Sequence, residues 1–158
     1  MEQLKGIELT DLCRRVGTVT IIWAHIERQL DNWRLFIFNV FKDDSICKKV
    51  PFSLNQKISF LRCGFHKFEE LSDLESRAFD LLDRVNVIAD KRHAFVHGVV
   101  ESTSPDTLTF ERVRLEEGIQ VIIKDEFDID SYETFLRELL DLMGSSCIFS
   151  NDLLKKKH

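Results

Sequence analysis

The apolar positions Leu9, Leu12, Val16, Val19, Trp23, Ile26, Leu30, Trp33, Ile37 and Val40 follow one another at alternating intervals of three and four residues. That spacing holds their side chains on one stripe of a single long α-helix, and such a stripe is stable in water only when other elements cover it. A strict seam would suggest a coiled coil. Here Ile22, Leu35, Phe36 and Phe41 widen the stripe beyond what a two-helix seam uses, so the helix is expected to sit in a globular bundle. Glu27, one position past Ile26, falls at the stripe's edge, half-buried or facing a neighbouring group.

The rest of the chain supplies the covering elements. Pro51 and Ser53 mark a helix start, and "SLNQKISFLRCGF" then places Leu54, Ile58 and Leu61 inward, with Gly64 expected to end it. A third helix opens at Ser72 or Asp73 and carries Leu74, Ala78, Leu81, Val85 and Ile88 at helical spacing. Residues 98 to 128 change period. "VVEST", "TLTFERVRL" and "IQVIIKDEF", separated by "SPD" and "EEG", read as a small antiparallel meander. A last helix begins near Asp130 or Ser131 and runs through Tyr132, Phe135, Leu136, Leu139, Leu140 and Met143. The expected fold is mainly α, a four-helix-type bundle with a β-meander inserted before the last helix.

With 158 residues, 44% of them hydrophobic, two prolines and six glycines, the chain suits one domain over 1–150, followed by a basic C-terminal tail at 151–158. The net charge of −5 argues against a broad basic surface coating nucleic acid, so any RNA contact should be local. Cys13, Cys47, Cys63 and Cys147 form no CxxC pair and no secreted disulfide framework. No apolar run approaches the roughly 20 residues that cross a bilayer. A soluble, cytoplasmic protein with no membrane association is expected.

"KRHAFVHG", Lys91 to Gly98, concentrates the chemistry. Continuing the third helix's apolar series from Ile88 leads to Arg92 and Phe95, so Arg92 falls on the core-facing stripe, where an unpaired charge is costly. One reading is structural: the guanidinium reaches water over a packed stem, or pairs with an acid such as Glu27. The other is a site, because the planar guanidinium fork matches phosphate oxygens. On an ideal helix His97 lies about 140° around the axis from Arg92, so the two do not share a face. His97 instead shares a polar face with Asn86, Asp90 and His93, which could meet its symmetry mate across a two-fold axis, unless the helix unwinds near Gly98.

"RHAFVH" resembles the hallmark motif of the HEPN superfamily, small helical bundles whose third core helix ends in arginine, a polar residue, three further positions and histidine. Gly98 after the histidine and the long first helix are also similar. The resemblance implies a metal-independent endoribonuclease, a toxin or antiphage defence effector, acting on RNA as a homodimer, with a cognate antitoxin or defence-system protein as a partner. It implies catalytic roles for Arg92 and His97, with His93 orienting or assisting. No cofactor is implied. Members that only bind nucleotides, RNA or proteins make a non-catalytic module the alternative. Some members carry a tyrosine two positions after the histidine; here Val99 stands there.

Glu27 is a candidate orienting partner for the motif if the first and third helices cross there, and Lys57 is a candidate substrate contact, although a lysine in that setting is more often solvated. His93 and His97 at i, i+4 with Cys63 and His66 would make a zinc donor set only if the fold joined them. The HExxH glutamate is missing, since Ala94 follows His93, so no metal is expected, and Cys63 is expected to be a buried thiol.

Overall fold

A computed structural model describes residues 9–42, 51–103 and 107–157. Four helices account for most of them: α1 (Leu9–Phe41), α2 (Leu54–Lys67), α3 (Ser72–His97) and α4 (Ile129–Leu154). Between α3 and α4 lies a three-stranded antiparallel sheet in the order β1-β2-β3, from β1 (Val99–Thr103), β2 (Thr107–Glu116) and β3 (Ile119–Asp128). The fold is therefore mainly α, with a β-meander before the last helix. Single 3-10 turns occupy Glu69–Leu71 and Lys155–Lys157.

The described parts of the chain gather into two compact units, Met1–Trp23 with Val87–Leu140, and Ala24–Asn86 with Asp141–His158. In the first, Phe95 is the hub. Its ring centroid lies 4.9 Å from Phe110 and 4.6 Å from Phe127 on the sheet, and 5.4 Å from Phe135 on α4, so the end of α3 is wedged between sheet and helix. Leu12, Val19, Ile22, Trp23, Ile88, Ala94, Leu108 and Leu139 complete this core. Aromatic rings that meet tilted or offset contribute beyond the area they bury.

The second unit is built around Trp33 and Phe149, 4.7 Å apart, with Phe65 5.5 Å from Phe149. The Trp33 indole nitrogen donates to Ser150 Oγ at 2.6 Å, and the Ser150 hydroxyl donates to Gln29 Oε1 at 2.7 Å, so the buried indole is satisfied. A capping box opens α2: Ser53 accepts from the Gln56 amide, and the Gln56 side chain accepts from the Ser53 amide.

Several expectations need correction. Gly64 does not end α2, which continues to Lys67; it is a point of close approach, where an added Cβ would lie 2.9 Å from Ile37 Cγ2. Leu9, Leu35 and Val40, expected on the covered stripe, are exposed. The segment expected as a basic tail is in part helical. Helix α4 extends to Leu154, and Lys155 and Lys156 pair with Asp152 (2.9 Å) and Asp73 (2.7 Å). Cys63 is exposed, since it falls off the α2 face that buries Ile58, Leu61 and Phe65. The "SPD" turn and Cys47 lie outside the described residues.

Candidate functional site

The first unit holds the motif residues. Helix α3 keeps its form through His97 and stops at Gly98, whose amide donates to the Ala94 carbonyl at 2.8 Å. A side chain at 98 would put Cβ 2.4 Å from the Ala94 oxygen and 2.9 Å from Phe110 Cβ. Glycine alone lets α3 end against β2 at this distance. His97 is thereby the last helical residue, held at the junction of helix and sheet, and the helix does not unwind before it.

Arg92 is half-buried, and its guanidinium carbon stands 5.4 Å from the centroid of the buried Trp23 ring. The indole face supplies a cation–π platform on the α1 stripe. Among the described residues Arg92 makes no hydrogen bond and no ion pair; its Nε is buried without a partner, as is Trp23 Nε1. Of the two structural readings, pairing with an acid is not realised among the described residues, while a packed stem with the guanidinium reaching water fits its half-buried state. A cation packed on an indole without a carboxylate keeps its charge for an incoming anion.

His93 and His97, one turn apart on the exposed side of α3, bring their ring centroids to 4.5 Å at a 46° tilt. Partial burial, then the positive charges of His97, Arg112 and Arg92, push the His93 pKa below its ordinary value, while Asp90 pulls the other way. A proton on His97 therefore disfavours one on His93.

Beside the pair lies a network that the motif does not announce. Arg112, on β2, is buried with its side chain 6% accessible. Its Nε donates to Asp125 at 2.6 Å on β3, and its two terminal nitrogens donate to Asp90 at 3.1 and 3.2 Å on α3. The fork thus ties sheet to helix one turn before His93. Its guanidinium lowers the Asp90 pKa, chiefly through the hydrogen bonds, and the two carboxylates raise its own. The signal was present in period two: Leu108, Phe110 and Arg112 alternate onto one face of β2, so Arg112 extends the buried row.

The remaining predicted residues fall in the second unit. Glu27 is half-buried on α1. Lys57 is neither solvated nor available: its side chain is 11% accessible and its Nζ lies 2.8 Å from Asp31 Oδ1. The same carboxylate lies 3.2 Å from Arg34, a buried arginine that also donates to the Pro51 carbonyl. The lysine is a structural cation. His66 pairs with Glu75 at 2.7 Å. Among the described residues no three His, Cys, Asp or Glu side chains converge as metal ligands, and no helix is long and apolar enough to cross a membrane.

Compared with protein-family models, curated proteins and solved structures, the chain matches none significantly.

Proposed function

We propose that the protein is a metal-independent endoribonuclease, and that the end of α3 is its active site. The observation that carries the reading is the adjacent imidazole pair at the end of a helix whose other face carries an arginine without a carboxylate partner among the described residues. The chemistry this set can perform is transesterification. A neutral imidazole, His93 by its depressed pKa, removes the proton from a ribose 2'-hydroxyl as that oxygen attacks the adjacent phosphorus. Protonated His97 gives its proton to the departing 5'-oxygen, breaking the P–O bond and leaving a 2',3'-cyclic phosphate. Arg92 offsets the charge that builds on the non-bridging oxygens. Asp90, Arg112 and Asp125 hold the helix and sheet that carry these groups. The resemblance of "RHAFVH" to the HEPN motif supports Arg92 and His97 as catalytic residues, and with them a toxin or defence role in the cytoplasm and a dimer that sets two such sites together.

The test is a labelled RNA pool incubated with the wild type, His97→Ala and Arg92→Ala in excess EDTA, after circular dichroism has shown all three folded. Wild-type cleavage to cyclic-phosphate ends, reduced on the order of 100-fold or more in each variant, is the expected result. Equal RNA integrity with all three proteins sinks the nuclease and leaves a binding module.

A further inference from the structure

His93 and His97 are suited to a second chemistry besides proton transfer. Two imidazoles one helical turn apart are also two nitrogen donors with a common side. Both residues are exposed, and neither makes a hydrogen bond or ion pair among the described residues. His66, by contrast, is held by Glu75 at 2.7 Å, and Asp90, one turn before His93, is engaged by both terminal nitrogens of Arg112.

The spacing of the rings is that of a chelate. Metal–imidazole bonds are about 2.0–2.1 Å long and the ring centre lies roughly 1.2 Å behind the donor nitrogen, so each centroid stands about 3.2 Å from a bound ion. Two rings bound at a right angle then have centroids about 4.5 Å apart, and two bound at the tetrahedral angle about 5.2 Å. The observed separation is 4.5 Å. A half-turn of either ring about its Cβ–Cγ bond exchanges the ring atoms and leaves the centroid nearly in place, so this distance does not depend on how the nitrogens are assigned. Right-angled coordination belongs to copper(II) and nickel(II), not to tetrahedral zinc. Helix α3 holds the spacing, because it stays helical through His97 and Gly98 fixes its end against β2.

The surroundings narrow the class of ion further. Asp90 is committed to Arg112, whose charge opposes a cation held by electrostatics alone, so Mg²⁺ and Ca²⁺, which need oxygen ligands, find none. Imidazole suits transition ions. No third His, Cys, Asp or Glu side chain converges there among the described residues, which leaves the other coordination positions to water and the ion exchangeable.

We propose that His93 and His97 chelate a divalent transition-metal ion, copper(II) or nickel(II) in preference to zinc, and that the bound ion inhibits the protein. The inhibition rests on the ribonuclease reading: an ion on both rings leaves neither imidazole to take the 2'-hydroxyl proton or to protonate the departing oxygen. The chelation does not rest on it. RNA cleavage is then independent of metal in mechanism and sensitive to metal in practice.

Calorimetric titration with Ni²⁺ alone tests the site without RNA. In a background with all four cysteines changed to serine, which removes thiolate ligands, one equivalent should bind per chain. His93→Asn and His97→Gln should each weaken binding by about tenfold or more, because the second donor of a chelate acts at high effective concentration. His25→Asn and His66→Asn should leave it unchanged. The ion should also raise the melting temperature of this background and not of His93→Asn, since only folded α3 brings the rings together. Undiminished binding by His93→Asn or His97→Gln, loss of the site in His66→Asn, or zinc bound more tightly than nickel overturns the proposal. In the RNA assay one equivalent of Ni²⁺ should suppress cleavage and excess EDTA restore it; full cleavage with the site occupied overturns the inhibition. Chelation with no RNA cleavage under any condition supports the site and sinks the nuclease alone.

Discussion

Arg112 shows how much of a site's precision rests on one side chain outside its motif. Its partners differ in what they lose without it: Asp90 is 58% accessible and can return to water, whereas Asp125 is 22% accessible and would be left poorly solvated. Breaking a fully buried pair costs about 3–5 kcal/mol, and the exposed partner reduces this, so Arg112→Met should lower unfolding free energy by roughly 2–3 kcal/mol in chemical denaturation. Adding Asp125→Asn removes the stranded charge and should recover part of that loss. His93 gives a pH test. Its folded-state pKa is depressed, so the unfolded chain takes up the proton first as pH falls below about 6.5, and stability rises with pH through that window to its full value above it. His93→Asn should flatten that slope, and an NMR titration should place the His93 midpoint below about 6.5. A midpoint above it would remove the case for His93 as the base.

At the scale of elements, the junction of α3 with β2 decides where the histidines stand. Gly98→Ala drives a Cβ into the Ala94 carbonyl and the Phe110 side chain, both fixed by the aromatic cluster around Phe95, so the last turn of α3 must move. Overpacking of this kind costs about 1–3 kcal/mol, and thermal melts should register it along with loss of any His97-dependent activity. Ser53→Ala is the contrasting local case: it removes a capping box in the other unit and should cost about 1 kcal/mol with activity unchanged. Helix periods and turn residues were legible from the sequence, and the meander falls where the period changes from helical spacing to two. Gly64 was misread because a glycine near an expected helix end and one under a crossing side chain look alike in sequence; only the approach of Ile37 separates them. The motif arginine was legible as a misfit on an apolar stripe. That Trp23 would be its platform was not, because Trp23 fits the α1 stripe equally well as ordinary core.

For the whole molecule, the balance of charge limits how RNA can be held. The net charge is −5, and many basic side chains are already committed: Lys57 to Asp31, Arg77 to Asp152, Lys91 to Glu138, Lys156 to Asp73, and Arg112 to its two carboxylates. A broad phosphate-binding face would need these pairs broken, and each exposed pair would compete with RNA for its cation. Arg92 has no such carboxylate partner among the described residues. One phosphate neutralised by Arg92 predicts a shallow salt dependence, because log K for single strands falls with log salt by about 0.7 for each phosphate. Binding of a short RNA by a cleavage-dead His97→Gln variant should therefore follow a slope of roughly −0.7 between low and physiological salt. Arg92→Gln should flatten it by about 0.7. A slope steeper than about −3 would place the RNA on other basic side chains, and would separate RNA affinity from the end of α3.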